Sequence, residues 1–166
     1  MIRIRCYREE DSENAGRLIA ETYSRYNLSF ASAAERVKLL GPFQHAGSDQ
    51  EAHKKEIARV LRADMVFVAE DNGEIVGILR GQHDKLQSLF VSGSRHRQGI
   101  GRRLVERFER ECRRQNSAAI KLRSTLFAVP FYQAMGYKKS TGVRVMKSFD
   151  GKGLPFQAMK KVLREE

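Results

Sequence analysis

Leu86-Gln87-Ser88-Leu89-Phe90-Val91, then Ser92-Gly93-Ser94-Arg95-His96-Arg97, then Gln98-Gly99-Ile100-Gly101-Arg102-Arg103-Leu104, is the most informative segment of the chain. It reads as a buried strand, a short polar loop and a glycine-rich start to a basic amphipathic helix. That order presents unpaired backbone N–H groups and the positive end of a helix dipole to an anion. The N–H groups of residues 98–103 include those that a first helical turn leaves unbonded.

Working outward, residues 99–116 place Ile100, Leu104, Val105, Phe108 and Cys112 on one helical face. The other face carries Glu106–Arg110 and Glu109–Arg113 at i,i+4, the favourable orientation for surface pairs. Upstream, Met65-Val66-Phe67-Val68-Ala69-Glu70 and residues 74–80 flank Asp71-Asn72-Gly73, a strong hairpin signal. Ile2, Ile4 and Cys6 alternate with Arg3 and Arg5 as a first strand. Asp11 or Ser12 can cap a helix in which Ala15, Leu18, Ile19, Thr22, Tyr23 and Tyr26 recur at helical spacing. Residues 27–50 are irregular, broken by Gly41-Pro42, with a short helix over 33–40. Another helix carries Ala52, Ile57, Val60 and Leu61 and ends near Asp64. Downstream, 118–123 is a strand. Residues 128–135 form a short helix that tolerates Pro130 in its first turn and is stopped by Gly136. Residues 143–149 and 156–163 close the chain as two strands around Asp150-Gly151-Lys152-Gly153. The order β-α-α-β-β-β-α-β-α-β-β is a single α+β domain with a mixed sheet of six to seven strands flanked by helices. The strand–helix–strand unit 86–123 should join parallel strands.

Composition agrees. The chain has 166 residues, 41% of them hydrophobic, enough for one core. No apolar run approaches the ~20 residues of a membrane span. Met1-Ile2-Arg3-Ile4-Arg5 lacks the apolar region of a signal peptide. Two distant cysteines, Cys6 and Cys112, suggest neither a disulfide framework nor a metal site, and both are expected as small buried hydrophobes. A cytoplasmic protein follows. The net charge of +11 is unevenly placed: residues 1–94 hold 13 Lys/Arg against 14 Asp/Glu, whereas residues 95–166 hold 18 against 6. Such a field attracts a polyanion. A nucleic-acid partner is not expected, because the cations lack aromatic interleaving or a known binding motif.

The glycine stretch resembles the acyl-CoA-binding motif of the GNAT superfamily of N-acetyltransferases, and the element order matches that family's. The signature is Arg or Gln, two residues, Gly, one residue, then Gly or Ala. Gly99 and Gly101 fill the glycine places; His96 stands where Arg or Gln is usual, flanked by Arg95 and Arg97. The resemblance implies acetyl-CoA as co-substrate, with no metal. It implies a pantetheine-pairing strand edge at Leu89, Phe90 and Val91, and pyrophosphate contacts at Arg97, Gln98, Gly99, Ile100, Gly101 and Arg102. A second likeness is Phe131-Tyr132-Gln133-Ala134-Met135-Gly136-Tyr137, in which Tyr132 occupies the family's usual proton-donor position toward the coenzyme A thiolate. The family's frequent Asn ahead of this helix is absent. Residues 1–85 then hold the N-terminal and acceptor-side elements, 86–137 the acyl-CoA core, and 138–166 the closing strands.

The resemblance implies direct transfer of acetyl to a primary amine in a ternary complex, since no cysteine sits in the signature segments. The acceptor is a small-molecule or peptide amine, and a homodimer is among the assemblies the family shows. The residues leave open a non-catalytic acyl-CoA sensor and a basic nucleic-acid-binding module. Candidate general bases are Glu70, His83 and Asp84, each also readable as a strand-end surface group; Gln87 and Ser88 stand where some relatives carry a glutamate. Tyr23, Tyr26, Phe30 and Phe43 offer aromatic surface for the acceptor, and Glu35, Asp49 and Glu51 could pair with its charge. His45, His53 and His83 are expected at the surface.

Overall fold

The computed structural model describes residues 1–28, 31–148 and 153–163. Its strands are β1 (Ile2–Cys6), β2 (Met65–Asp71), β3 (Glu74–Gln82), β4 (Lys85–Val91), β5 (Ala119–Ser124), β6 (Lys138–Met146) and β7 (Leu154–Val162). Its helices are α1 (Ser12–Thr22), α2 (Ala33–Leu40), α3 (Glu51–Leu61), α4 (Ile100–Arg114) and α5 (Val129–Ala134). The seven strands form one sheet in the order β1-β2-β3-β4-β5-β7-β6. Every pairing is antiparallel except β4 with β5. This is the mixed α+β sheet that the patterning predicts.

Local chemistry explains the joints. Asn72 and Gly73 both have positive φ, 51° and 86°, as a type I′ hairpin turn between β2 and β3 requires. The sequence places Asp11 or Ser12 as the α1 cap, but the Asp11 carboxylate makes no capping bond to α1. It instead accepts bonds from the Arg8 N–H and from both Arg5 terminal nitrogens, at 2.8–2.9 Å. The Arg5 guanidinium holds Asp11 below the usual carboxylate range. The periodicity that runs to Tyr26 continues past α1 as a π-helical turn, Tyr23–Asn27.

Each face of the sheet has its own core. On one face α4 buries Ile100, Leu104, Val105, Phe108 and Cys112 against Phe67, Leu79, Ile120 and Leu122. On the other, α1–α3 bury Leu18, Ile19, Leu40 and Ile57 against Val68, Ile75 and Ile78. A fully buried side chain of this size contributes about 1.5–3 kcal/mol, so the two layers lock the central strands between them.

Three expectations are corrected. Glu109 is buried, 3% exposed, and does not pair with Arg113 on an outer face. Lys161 of β7 reaches across to it, with Nζ 2.9 and 2.8 Å from its two carboxylate oxygens and 2.9 Å from the Met135 carbonyl. This joins α4, β7 and the end of α5. Glu109→Ala strands the Lys161 ammonium and should cost about 2 kcal/mol, less than for a fully buried pair because Lys161 keeps 23% exposure. Urea unfolding measures it; an unchanged midpoint would contradict the role. Second, Cys6 is exposed, at the end of outer strand β1, while Cys112 is buried and its thiol is pushed up to about 12. Third, β6 starts at Lys138, five residues earlier than hydrophobic alternation suggests, because a bulge between Lys139 and Val143 lets a polar segment pair with β7. Of the closing turn, residues 149–152 lie outside the described residues.

Candidate active site

The parallel pairing of β4 with β5 is short. It covers Lys85–Lys121 and Leu86–Leu122 and stops there, although β4 continues with β3 as far as Val91. Residues 87–91 therefore turn toward β5 a backbone edge that β5 does not pair, with the Val91 carbonyl taken by the His96 ring. Immediately beyond, α4 starts at an N-cap, Gly99, with φ 77° and no capping side chain. Its first internal bond runs from the Arg103 N–H to the Gly99 carbonyl, so the N–H groups of the three residues before Arg103 lack intrahelical partners. Only glycine adopts that φ without strain. Gly101 matters differently: a Cβ there would lie 3.2 Å from Phe131 Cζ and 3.6 Å from Val91 Cγ2. Its missing side chain thus lets α4 close onto α5 and β4.

A cleft of about 860 Å³ opens along these features. Leu89, Phe90, Val91, Arg97, Gly99, Ile100, Gly101 and Arg102 line it, and so does Tyr132; Gln98 does not. The cations of the loop divide by geometry. Arg95 Nη1 pairs with Asp71 at 2.7 Å. The His96 Nε2–H donates to the Val91 carbonyl, 2.9 Å away, so the residue that departs from the signature folds back on the strand. Arg97 and Arg102 are exposed at the mouth, with Arg102 only 3.8 Å from Glu106 of its own helix.

Tyr132 is 6% exposed, its ring held edge-on by Phe131 and Tyr137 at centroid distances of 5.1 and 5.8 Å. Burial pushes its phenol pKa upward, so it stays protonated across ordinary pH. Glycine at 136, with φ 92°, ends this turn.

The sequence-predicted bases are not in the cleft. Glu70 accepts from Arg5 Nε at 2.6 Å and lines a separate groove of about 1490 Å³ between β1 and α4. His83 and Asp84 are exposed in the β3–β4 turn. Among the described residues, the cleft lining contains no carboxylate; Gln87 and Ser88 are there. Tyr23 and Phe43 form part of the wall, and Tyr23 meets Phe90 edge-on at 5.8 Å. Glu35, Asp49 and Glu51 do not line it, while Phe30 and the Tyr26 side chain lie outside the described residues. His45 is exposed and stacks on half-buried His53 at 3.8 Å.

Sequence reading misses Arg80, Arg123 and Met146, all in the lining. Arg80 donates to the Val60, Leu61 and Arg62 carbonyls at the end of α3, at 2.6, 3.0 and 3.3 Å. Its one sequence signal is an arginine that follows Val76 and Ile78 at strand alternation.

A family model for the GNAT acetyltransferase domain matches residues 31–163. The chain belongs to the GNAT acetyltransferase family. Solved members share its fold. A GCN5-related N-acetyltransferase from Rhodopseudomonas palustris superposes with a TM-score of 0.81 at 17% identity, over 97% of this chain and 95% of that one. The PaiA N-acetyltransferase from Thermoplasma acidophilum, solved in complex with coenzyme A, gives 0.67 at 15% identity over 98% and 99%. A ribosomal-protein-alanine N-acetyltransferase from Brucella melitensis gives 0.62 at 19% identity over 97% and 99%. No curated protein matches the sequence. Among the described residues of this GNAT chain, no helix is long and apolar enough to cross a membrane, and no three or more His, Cys, Asp or Glu side chains gather as a metal site.

Proposed function

We propose that this GNAT protein is an acetyl-CoA-dependent N-acetyltransferase that moves acetyl to a primary amine by direct attack in a ternary complex. The observation that carries the proposal is the parting of β4 from β5 directly ahead of the uncapped start of α4. An extended amide chain can pair with such an edge as an added strand does, and a phosphate anion suits the helix start beyond it. The Thermoplasma relative's complex with coenzyme A supports the same donor.

Bound acetyl-CoA would supply an activated acyl carbon as its thioester. Leu89, Phe90 and Val91 hold the pantetheine amides through their backbone. The N–H groups of Ile100, Gly101 and Arg102, with the Arg97 and Arg102 side chains, hold the pyrophosphate. Gln98 contributes backbone at most, since it does not line the cleft. Tyr132 donates a hydrogen bond to the departing sulfur. A thiol ionises near pKa ~8.5, well below the raised phenol, so the phenol shares its proton with the thiolate rather than surrendering it. No cysteine lines the cleft, which favours direct attack over an acyl-enzyme. Residues 86–137 are thus the donor half, with walls for the amine supplied by segments on either side. Two free cysteines suit a reducing cytoplasm.

The test is release of coenzyme A thiol from acetyl-CoA across a panel of amines. At least one amine should release thiol well above background. Because the described lining has no carboxylate, the amine loses its proton to water, so the rate should climb with pH toward the amine's own pKa of about 10. Raised Tyr132 imposes no falling limb below that. Binding of acetyl-CoA without turnover of any amine would leave the sensor reading in place of the enzyme.

A further inference from the structure

The strands beyond the donor cleft carry a charge pattern that donor binding does not use. Between Ser117 and Leu163 the sequence has nine Lys or Arg residues and a single acid, Asp150. Register gathers several of these cations. Lys121 of β5 stands opposite Lys160 of β7, which stands opposite Lys138 of β6. Directly opposed residues share a sheet face about 5 Å apart, and like charges so placed repel. The three lysines form a cationic rung across three strands. Arg123, two residues along β5 from Lys121, is on the same face and lines the cleft. On β6, Arg144 and Met146 stand opposite Phe156 and Leu154, and Met146 also lines the cleft. Lys121, Lys138, Arg144 and Lys160 are exposed, and their side chains make no hydrogen bond or ion pair to another described residue.

An anionic partner relieves that repulsion, and the fold distinguishes its kind. A single-stranded nucleic acid is normally held by rings on which bases stack. The one ring on this face of β7, Phe156, is buried, with the Arg123 guanidinium 5.2 Å above it. β6 is moreover the outer strand of the sheet, and among the described residues β7 is its only neighbour. Its free edge offers N–H and C=O groups that only another polypeptide can match along its length.

We infer, on the acetyltransferase reading above, that the acceptor is the amino end of an acidic polypeptide segment. The segment adds beside β6, its carboxylates lie next to Lys138 and Arg144 and reach the lysine rung, and its amine enters the cleft at Arg123 and Met146. Polycationic amines meet five like charges there and are poor acceptors.

The test is fluorescence anisotropy with the protein saturated in coenzyme A. The probes are an extended peptide bearing glutamates at alternate positions and its glutamine counterpart, each labelled at the carboxyl end. The acidic peptide should bind about tenfold more tightly, and the advantage should shrink as salt rises from about 20 to about 200 mM. The Lys121→Gln/Lys160→Gln pair should erase most of it, with circular dichroism unchanged; Lys138→Gln gives a second, smaller loss. Equal binding of the two peptides, no binding of either, or an unchanged double variant overturns the inference. So does tighter binding of a single-stranded RNA than of the acidic peptide. These are binding readouts: an acidic peptide that docks but is never acetylated overturns the acetyltransferase reading and leaves the docking surface standing.

Discussion

Replacing Tyr132 by phenylalanine should lower kcat about 100-fold or more and leave the affinity for acetyl-CoA within about threefold. The substitution removes one oxygen and keeps the ring. Phe131 and Tyr137 continue to pack it edge-on, so the turn at α5 is preserved. On the proposed mechanism, what disappears is the hydrogen-bond donor for the negative charge that develops on sulfur as the amine attacks. The phenol's raised pKa makes this a hydrogen-bond effect and not a proton-transfer one. The loss should therefore be nearly constant over pH 7 to about 9.5. A donor aimed at developing charge in a dry site is worth a factor of about 100 to 1,000. An unchanged kcat would remove Tyr132 from the chemistry.

Gly101→Glu should weaken acetyl-CoA binding by at least about 300-fold, the second large effect. Two causes act together. The new Cβ starts 3.2 Å from Phe131 Cζ, so this ring, which lines the cleft, must shift by a few tenths of an ångström. The carboxylate then sits in the first turn of α4, where the helix dipole and free N–H groups stabilise it. It becomes an internal substitute for the phosphate and repels the real one. Gly101→Ala carries only the first cause and should lose roughly tenfold or less; equal losses for both variants would assign the effect to packing alone. Calorimetric titration separates them, provided the thermal transition of each variant is recorded alongside.

These expectations rest on features of very different visibility in the sequence. The α4 face was legible because its partners are apolar and periodic: Ile100, Leu104, Val105, Phe108 and Cys112 are all buried. Asn72-Gly73 declared its turn because the backbone there needs positive φ twice. Glu109 was not legible, since a glutamate four residues from an arginine looks like surface, and only the arrival of Lys161 from β7 makes its burial tolerable. The start of β6 was hidden for the opposite reason. Lys138 and Lys139 are both exposed, so no alternation marks the strand.

The site divides the same way. Its donor side lies in one continuous stretch and could be read in order. The rest of the cleft lining comes from α1, the turn after it, β3, β5 and β6, among other segments, so Arg80, Arg123 and Met146 meet only after folding. His96 shows the limit of a motif: the signature position is filled by a side chain that bonds to the Val91 carbonyl, while Arg95 is taken by Asp71. Which cation faces a phosphate depends on those two contacts, neither of which a spacing pattern contains.

On the proposed reading, acetyl-CoA lies where β4 parts from β5, with its phosphates at the start of α4. Isothermal titration of acetyl-CoA into the wild-type protein tests it most directly. A single site per chain with a Kd of about 1–50 μM, abolished in Gly101→Glu, is the predicted result. No heat of binding to a folded wild-type protein at about 1 mM acetyl-CoA would contradict it.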